Sequence, residues 1–263
     1  MGLAAPRRAE RRDAVTQALV FAAGLGTRLK PLTDRVPKAL VDVGGVPMLE
    51  RVIRRLAAAG VDRVVVNVHA FAARIERFVC EHAHAFGAEA GLSHAATRPL
   101  DTGGGLLHAR EHLRPDEPIV LHNADVLTDL SLDALLAAHA RHDALATLAV
   151  MERPTQRFLL FDDAGLLGRV DETKGLERRV REPAGAVRRL AFAGVHVVAP
   201  DLLTRITERG AFSILEPYLR LAAEGATLRP FRADGSLWID IGRPAQLEEA
   251  RRLVREADRT PRL

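Results

Sequence analysis

The chain has 263 residues, 48% of them hydrophobic and 27% charged, which is enough for one large domain with a real core or for two small ones. Its apolar runs fall short of a membrane span, the opening MGLAAPRRAERRDAV lacks the apolar segment of a secretory signal, and a single cysteine allows no internal disulfide. The net charge of +4 sits mostly in Arg-rich ends, and aromatics are only 4%, so a basic, stacking-rich nucleic-acid face is not expected.

Apolar runs of strand type alternate with helical patterns. Strands are predicted at 17–22, 62–68, 118–123, 144–150, 192–198 and 236–240. Between the first two, Leu49, Val52, Ile53 and Leu56 form one apolar stripe, Pro47 suits the first turn and Gly60 closes it. Phe71, Ile75, Phe78 and Val79 make a similar stripe in the next helix. Ser131 reads as an N-cap, Ser213 with Glu216 as a capping box opening a helix at 214–223, and Pro244 begins the last helix, with Leu247, Ala250 and Val254 facing inward. Residues 151–191 break this rhythm with a hairpin at 157–170 and an Arg-rich connection, and read as a substrate-side insertion. The alternation implies an α/β sandwich with a mostly parallel central sheet and helices on both faces. The expected domain covers 17–255, with 1–16 and 256–263 as flexible tails.

The stretch VFAAGLGTRLKPLTDRVPKAL, residues 20–40, carries the chemistry. Gly24 and Gly26 are followed by Arg28, Lys30, Arg35 and Lys38, a pattern suited to phosphate. A dinucleotide-binding turn is excluded because Pro31 and Pro37 forbid the helix it must enter, and no Gly-Lys-Ser/Thr of a P-loop follows. Only three lysines occur among 38 basic residues, and two of them, Lys30 and Lys38, fall in this stretch, as expected where arginine would not serve; Lys174 has no such reason. Four other stretches join this one. DTGGGL (101–106) places glycines at a helix start, where free N–H groups can approach a ligand. HNAD ends a buried strand at Asp125, WID ends another at Asp240, and Asn67 ends the second strand. Carboxyl ends of parallel strands form the crevice of open α/β sheets, so all five stretches should converge there. Two Asp with cations and glycines suit Mg²⁺ and phosphates, since that ion takes hard oxygen ligands. Glu76, Cys80 and His84 have metal-ligand spacing on one helix face, but lie opposite the apolar stripe and read as a solvated face.

AAGLGTRLKPLTDRVPKAL closely resembles the signature of the sugar-1-phosphate nucleotidyltransferases, and DTGGG, NAD, FAGVHV, GAFSI and LWIDIGRPAQL extend the match over about 17–255. Among branches the chain looks most like the N-acetylmuramate-1-phosphate uridylyltransferases and the mannose- and heptose-1-phosphate guanylyltransferases. The resemblance implies a modified Rossmann, GT-A-like sandwich. It implies that Ala22, Ala23, Gly24, Gly26 and Thr27 wrap the nucleotide, with Arg28 on its β- and γ-phosphates and Lys38 on its α-phosphate. Asp101, Thr102 and Gly103 would edge base and ribose, Asn67 and Gly194 would border the sugar, and Asp125 and Asp240 would hold Mg²⁺. The catalytic set is then Arg28, Lys38, Asp125 and Asp240, acting on an NTP and a sugar 1-phosphate in the cytoplasm, as a monomer or small homo-oligomer. The sequence departs from the family at Ala124, where Gly is usual, at Ala96, where many relatives place Gln, and at Leu159, where others place Gly. The AAG opening leans to UTP. A catalytically silent regulatory protein on the same fold is opposed by the joint presence of the four catalytic-type residues. A GT-A glycosyltransferase would want Asp-x-Asp, and HNADV has one Asp.

Overall fold

Short apolar strands with β-branched residues and glycine or proline breaks between them set the element order. The computed structural model describes residues 17–94 and 98–259. In chain order these are β1 (Gln17–Phe21), β2 (Asp42–Val43), β3 (Val46–Pro47), α1 (Met48–Ala58), β4 (Arg63–Val68), α2 (Ala72–Phe86) and β5 (Glu89–His94). Next come α3 (Asp101–Ala109), β6 (Ile119–Asn123), β7 (Val126–Thr128), α4 (Leu132–Arg141), β8 (Ala146–Met151), β9 (Arg157–Asp162), β10 (Gly165–Asp171) and β11 (Leu176–Arg179). The chain continues through β12 (Arg188–Val198), α5 (Asp201–Arg205), α6 (Leu215–Ala223), β13 (Leu228–Arg232), β14 (Trp238–Asp240) and α7 (Pro244–Arg259).

The central sheet runs β11-β10-β9-β12-β6-β1-β4-β5, with β8 and β13 branching from β12. Strands β6, β1, β4 and β5 are parallel, and so are β13 and β8, whereas β12 is antiparallel to β6, β8 and β9. The sheet is therefore mixed around a parallel centre, a modified Rossmann arrangement. Side chains alternate across it as a pleated strand requires. Ala18, Val20, Val64 and Val66 pack with Leu49, Ile53, Ile75 and Leu247 of α1, α2 and α7 on one face. Leu19, Val65 and Leu121 pack with Leu106, Leu202 and Leu219 of α3, α5 and α6 on the other. The α1 stripe read from sequence is wholly buried in the first of these cores. Glu76, Cys80 and His84 are exposed, as their position opposite the α2 stripe requires.

Several expectations are corrected. The strand near 236–240 is not in the central sheet: β14 pairs with β7 in a separate two-stranded ribbon. Strands β5 and β13 were not expected. The Ser213–Glu216 capping box does not close, because Arg169 and Arg178 take the Glu216 carboxylate at 3.1 and 3.2 Å, while Ser213 Oγ accepts from Leu215 N at 3.3 Å. Ser131 does cap α4, its Oγ accepting from Ala134 N at 3.1 Å. The final helix runs to Arg259, past the expected tail boundary at 256, while 1–16 and 260–263 lie outside the described residues. The insertion at 151–191 is the β9–β10–β11 extension of the sheet. Its return segment is pinned by Asp162, whose side chain has 0% exposure and meets Arg181 through two bonds of 2.6 Å. That guanidinium holds the Asp162 carboxyl well below the usual range.

Three histidines sit inside this frame. Burial pushes His122 and His139 down to about 4, and His196, with His122 beside it, down to about 3. Each stays neutral when folded but takes up a proton near 6.5 when unfolded, so its contribution is intact above pH 6.5 and is lost as pH falls toward those values. Each costs up to about 1.4 kcal/mol per pH unit in that window. The denaturant midpoint should therefore be lower at pH 5 than at pH 7; equal midpoints would contradict the assignment of three buried neutral imidazoles.

Candidate functional site: two clefts joined at a lysine and two carboxylates

The carboxyl ends of parallel strands leave backbone groups facing solvent, and loops leaving them wall a crevice. Here Phe21, Asn67 and Asn123, from the ends of β1, β4 and β6, floor a cleft of about 610 Å³. The loop after β1 walls it. Pro31 and Pro37 break that loop into three 3₁₀ turns, at Thr27–Leu29, Leu32–Asp34 and Lys38–Leu40. Gly26 is left-handed (φ 64°), and a Cβ there would lie 2.9 Å from Thr33 Cγ2 and 3.1 Å from Lys38 Cβ. Thr33 Oγ1 donates to the Gly26 carbonyl at 2.8 Å. The loop is thus folded back on itself, which carries Lys38 toward the sheet. Ala23, Gly24, Gly26, Thr27 and Arg28 line this cleft, whereas Ala22 is buried, its N–H on the Asn67 carbonyl at 2.9 Å.

Lys38 is the junction. Its side chain is only 10% exposed, and Nζ donates to Asp125 Oδ2 and, at 3.3 Å, to Asp240 Oδ1. Arg28 Nη2 lies 3.6 Å from Asp240 Oδ2. Asp125 sits two residues beyond β6, in the turn into β7, rather than ending a strand. The β7–β14 ribbon then sets Asp240 beside it, with Ile241 N donating to the Asp125 carbonyl at 3.0 Å. Gly242 closes this corner: a Cβ there would lie 2.7 Å from Arg28 Nη2, 2.7 Å from Asp240 Oδ1 and 2.9 Å from Lys38 Nζ. Among the described residues no group of three or more His, Cys, Asp or Glu is arranged to hold a metal. Mg²⁺ does not need one, because it commonly binds one or two carboxylates and completes its shell with water and substrate phosphates. Two carboxylates already converging on one cation fit that donor set.

The remaining expected residues divide. Asp101 lines the cleft in a left-handed conformation (φ 54°), its Oδ1 accepting from Thr102 N at 2.6 Å. Thr102 also lines it, and its Oγ1 accepts from Ile214 N at 2.9 Å. Gly103 is buried behind them, and its N–H donates to the Phe212 carbonyl at 2.9 Å. The glycine run serves packing as much as approach: Cβ atoms at 103 and 104 would strike Phe212 and the Gly210 carbonyl. Asn67 is 2% exposed, lines the cleft, and keeps its Nδ2 buried without a partner, as a donor awaiting an acceptor would. Gly194 (φ 73°) lies where the β12–β8 register shifts, against the Asn123 side chain, and lines neither cleft. Ala96 lies outside the described residues.

A second cleft, also about 610 Å³, opens on the other side of Arg28 and Asp240. The insertion supplies its wall through Arg153, Phe158, Leu159 and Asp171, facing Trp238 and Arg243. Arg28 lines both clefts. Sequence reasoning missed Leu25, Asn123, Arg153 and Gly242. Leu25, an apolar residue between two glycines and 52% exposed, carried a usable signal; Arg153 was hidden among many arginines.

Residues 17–257 match the Nucleotidyl transferase family, and the chain belongs to it. It is 36% identical over 246 residues to the N-acetylmuramate alpha-1-phosphate uridylyltransferase of Caulobacter vibrioides, covering 90% of this chain and 96% of that one. It is 32% identical over 231 residues to the mannose-1-phosphate guanyltransferase of Gibberella zeae, spanning 87% of this chain and 61% of that longer protein. Its fold matches the inositol-1-phosphate CTP transferase from T. maritima with a TM-score of 0.75 at 18% identity, over 95% and 99% of the two chains. UTP-bound UGPase from Acinetobacter baumannii gives the same score and identity, over 95% of each.

Lys38 offers a compact test. An ammonium fits between two carboxylates in a crowded corner, where a planar guanidinium needs more room. The expectation drawn from lysine scarcity does not hold for Lys30, which is exposed, pairs with Asp34 at 3.0 Å and lines neither cleft, so that arginine would serve there. Lys38→Arg should lower turnover by about 10²-fold or more, and Lys30→Arg should leave it within about twofold. Equal losses in steady-state assays would contradict the special geometry at Lys38.

Proposed function

We propose that the protein joins an NTP to a sugar 1-phosphate, releasing pyrophosphate, with UTP and an amino-sugar or hexose 1-phosphate as the preferred pair. The observation that carries this reading is the meeting of two clefts at Arg28, Lys38, Asp125 and Asp240. The glycine-walled cleft suits a nucleoside triphosphate, with Thr27 and Arg28 toward its outer phosphates and Asp101 and Thr102 toward its nucleoside end. The second cleft suits the sugar phosphate.

A sugar-phosphate oxygen attacks the α-phosphorus in line. A new P–O bond forms, the bond from that phosphorus to its bridging oxygen breaks, and pyrophosphate leaves with the electron pair. No protein nucleophile is needed, so the residues act by positioning and charge. Lys38 stabilises charge on the α-phosphate oxygens, and Arg28 does so on the departing phosphates. Asp125 and Asp240 would hold Mg²⁺, which would offset repulsion between the two reacting anions. The uridylyltransferase relative favours UTP; the similar identity to guanyltransferases keeps mannose or heptose 1-phosphate with GTP as a second reading. A regulatory binding protein is disfavoured because the cationic and acidic groups are assembled together rather than lost. Among the described residues no helix is long and apolar enough to cross a membrane, which is compatible with a cytoplasmic step in nucleotide-sugar supply to the cell envelope.

Pyrophosphate release should be measured with each of four NTPs against glucose, mannose, N-acetylglucosamine and N-acetylmuramate 1-phosphates, with Mg²⁺. Turnover is expected only when both substrates are present, and fastest with UTP. Absence of turnover for every pair would contradict the proposal.

A further inference from the structure

One arginine in the second cleft is accounted for by neither the glycine loop nor the carboxylate pair. Arg153 follows β8, and its guanidinium lies over the indole of Trp238, 3.7 Å from the ring centroid. Trp238 is the only tryptophan in the chain and is itself fixed, its Nε1 donating to the Ala193 carbonyl at 2.8 Å. Arg153 Nη2 donates to the Phe192 carbonyl at 3.2 Å, while Nε is buried with no partner. Among the described residues Arg153 makes no ion pair; the acid that acts on it is Asp240, already engaged by Lys38 and Arg28. Burial lowers its pKa and Asp240 opposes that shift.

The half-buried guanidinium has a carbonyl acceptor but no carboxylate of its own, so an anion in the cleft would supply the countercharge it lacks. The planar fork of arginine, held flat by stacking, matches two oxygens of a phosphate. Its position selects which phosphate. Arg28 lines both clefts, but Arg153, like Asp240, lines only the second. Leu159 and Phe192 line the same cleft and offer apolar contact to the face of a sugar ring.

We infer that Arg153, stacked on Trp238, binds the phosphate monoester of the second substrate and aims its attacking oxygen at the junction. The nature of that substrate, a sugar phosphate, rests on the function proposed above; the anion site itself rests on the geometry. Because Trp238 is the sole tryptophan, its fluorescence reports this site without requiring turnover. Glucose, mannose and N-acetylglucosamine 1-phosphates should be titrated into the full chain as wild type, Arg153→Gln and Arg153→Lys, alongside KM for both substrates. At least one sugar phosphate should change the emission saturably. Arg153→Gln should weaken that binding about 10- to 100-fold and raise the sugar-phosphate KM similarly. Arg153→Lys should restore part of it, and the NTP KM should stay within about twofold. An unchanged sugar-phosphate affinity in Arg153→Gln, or a wild-type emission that answers none of the three, overturns the inference. Equal loss for both substrates with a lower Tm would make Arg153 a structural pin and overturn it too. Saturable binding that depends on Arg153 without turnover for any NTP pair upholds the anion site and removes the enzymatic reading.

Discussion

Two ionised carboxylates in one corner of a protein repel each other, and here the ammonium of Lys38 stands between them. The three residues are distant in sequence: Lys38 is 87 positions from Asp125 and 202 from Asp240. Three separate pieces of structure must each be correct for them to meet. The loop after β1 must fold back through Gly26 and its proline-broken turns. The chain must turn at Asp125 on leaving β6. The β7–β14 ribbon must then bring the end of the chain to the same edge. Lys38 and Asp125 line the first cleft and Asp240 the second, so that meeting links the two, with Arg28 lining both.

The parallel centre of the sheet supplies the edge on which this happens. Strands β1, β4 and β6 start in register and end together, so Phe21, Asn67 and Asn123 come out side by side. The antiparallel extension through β12, β9, β10 and β11 then carries a second wall out beyond this edge. That division gives the first cleft a glycine-rich wall, which allows close backbone approach. It gives the other side long cationic and aromatic side chains, suited to a ligand recognised by its substituents.

The parts legible in the sequence were those whose cause is local. The proline pattern that forbids a helix after Gly26, the α1 stripe and the Ser131 cap each follow from residues within a few positions of one another. What was missed depended on partners far away. Strand β13 contains Pro230, which argues against a central strand and is tolerated because β13 pairs only with β8. Strand β5 lies at the opposite edge, and its one fully buried residue, Ser93, gives no apolar signal. The glycines of DTGGG read as ligand-facing, yet Gly103 and Gly104 are required by Phe212 and Gly210, more than a hundred residues on, and Gly105 by the Asn67 side chain. Asp125 and Asp240 were named as a pair, but nothing local could reveal that Lys38 lies between them or that Gly242 must leave them room.

The central claim is that Asp125 and Asp240 act as one unit on the metal and the reacting phosphates. It is tested most directly by the Mg²⁺ dependence of turnover in Asp125→Asn, Asp240→Asn and the double variant, with Tm recorded for each. Each single change should lower turnover roughly 10²- to 10³-fold and raise the Mg²⁺ requirement. The double variant should be little worse than the worse single, as for residues acting together. Wild-type rates and wild-type Mg²⁺ dependence in both single variants would contradict the shared site and the chemistry built on it.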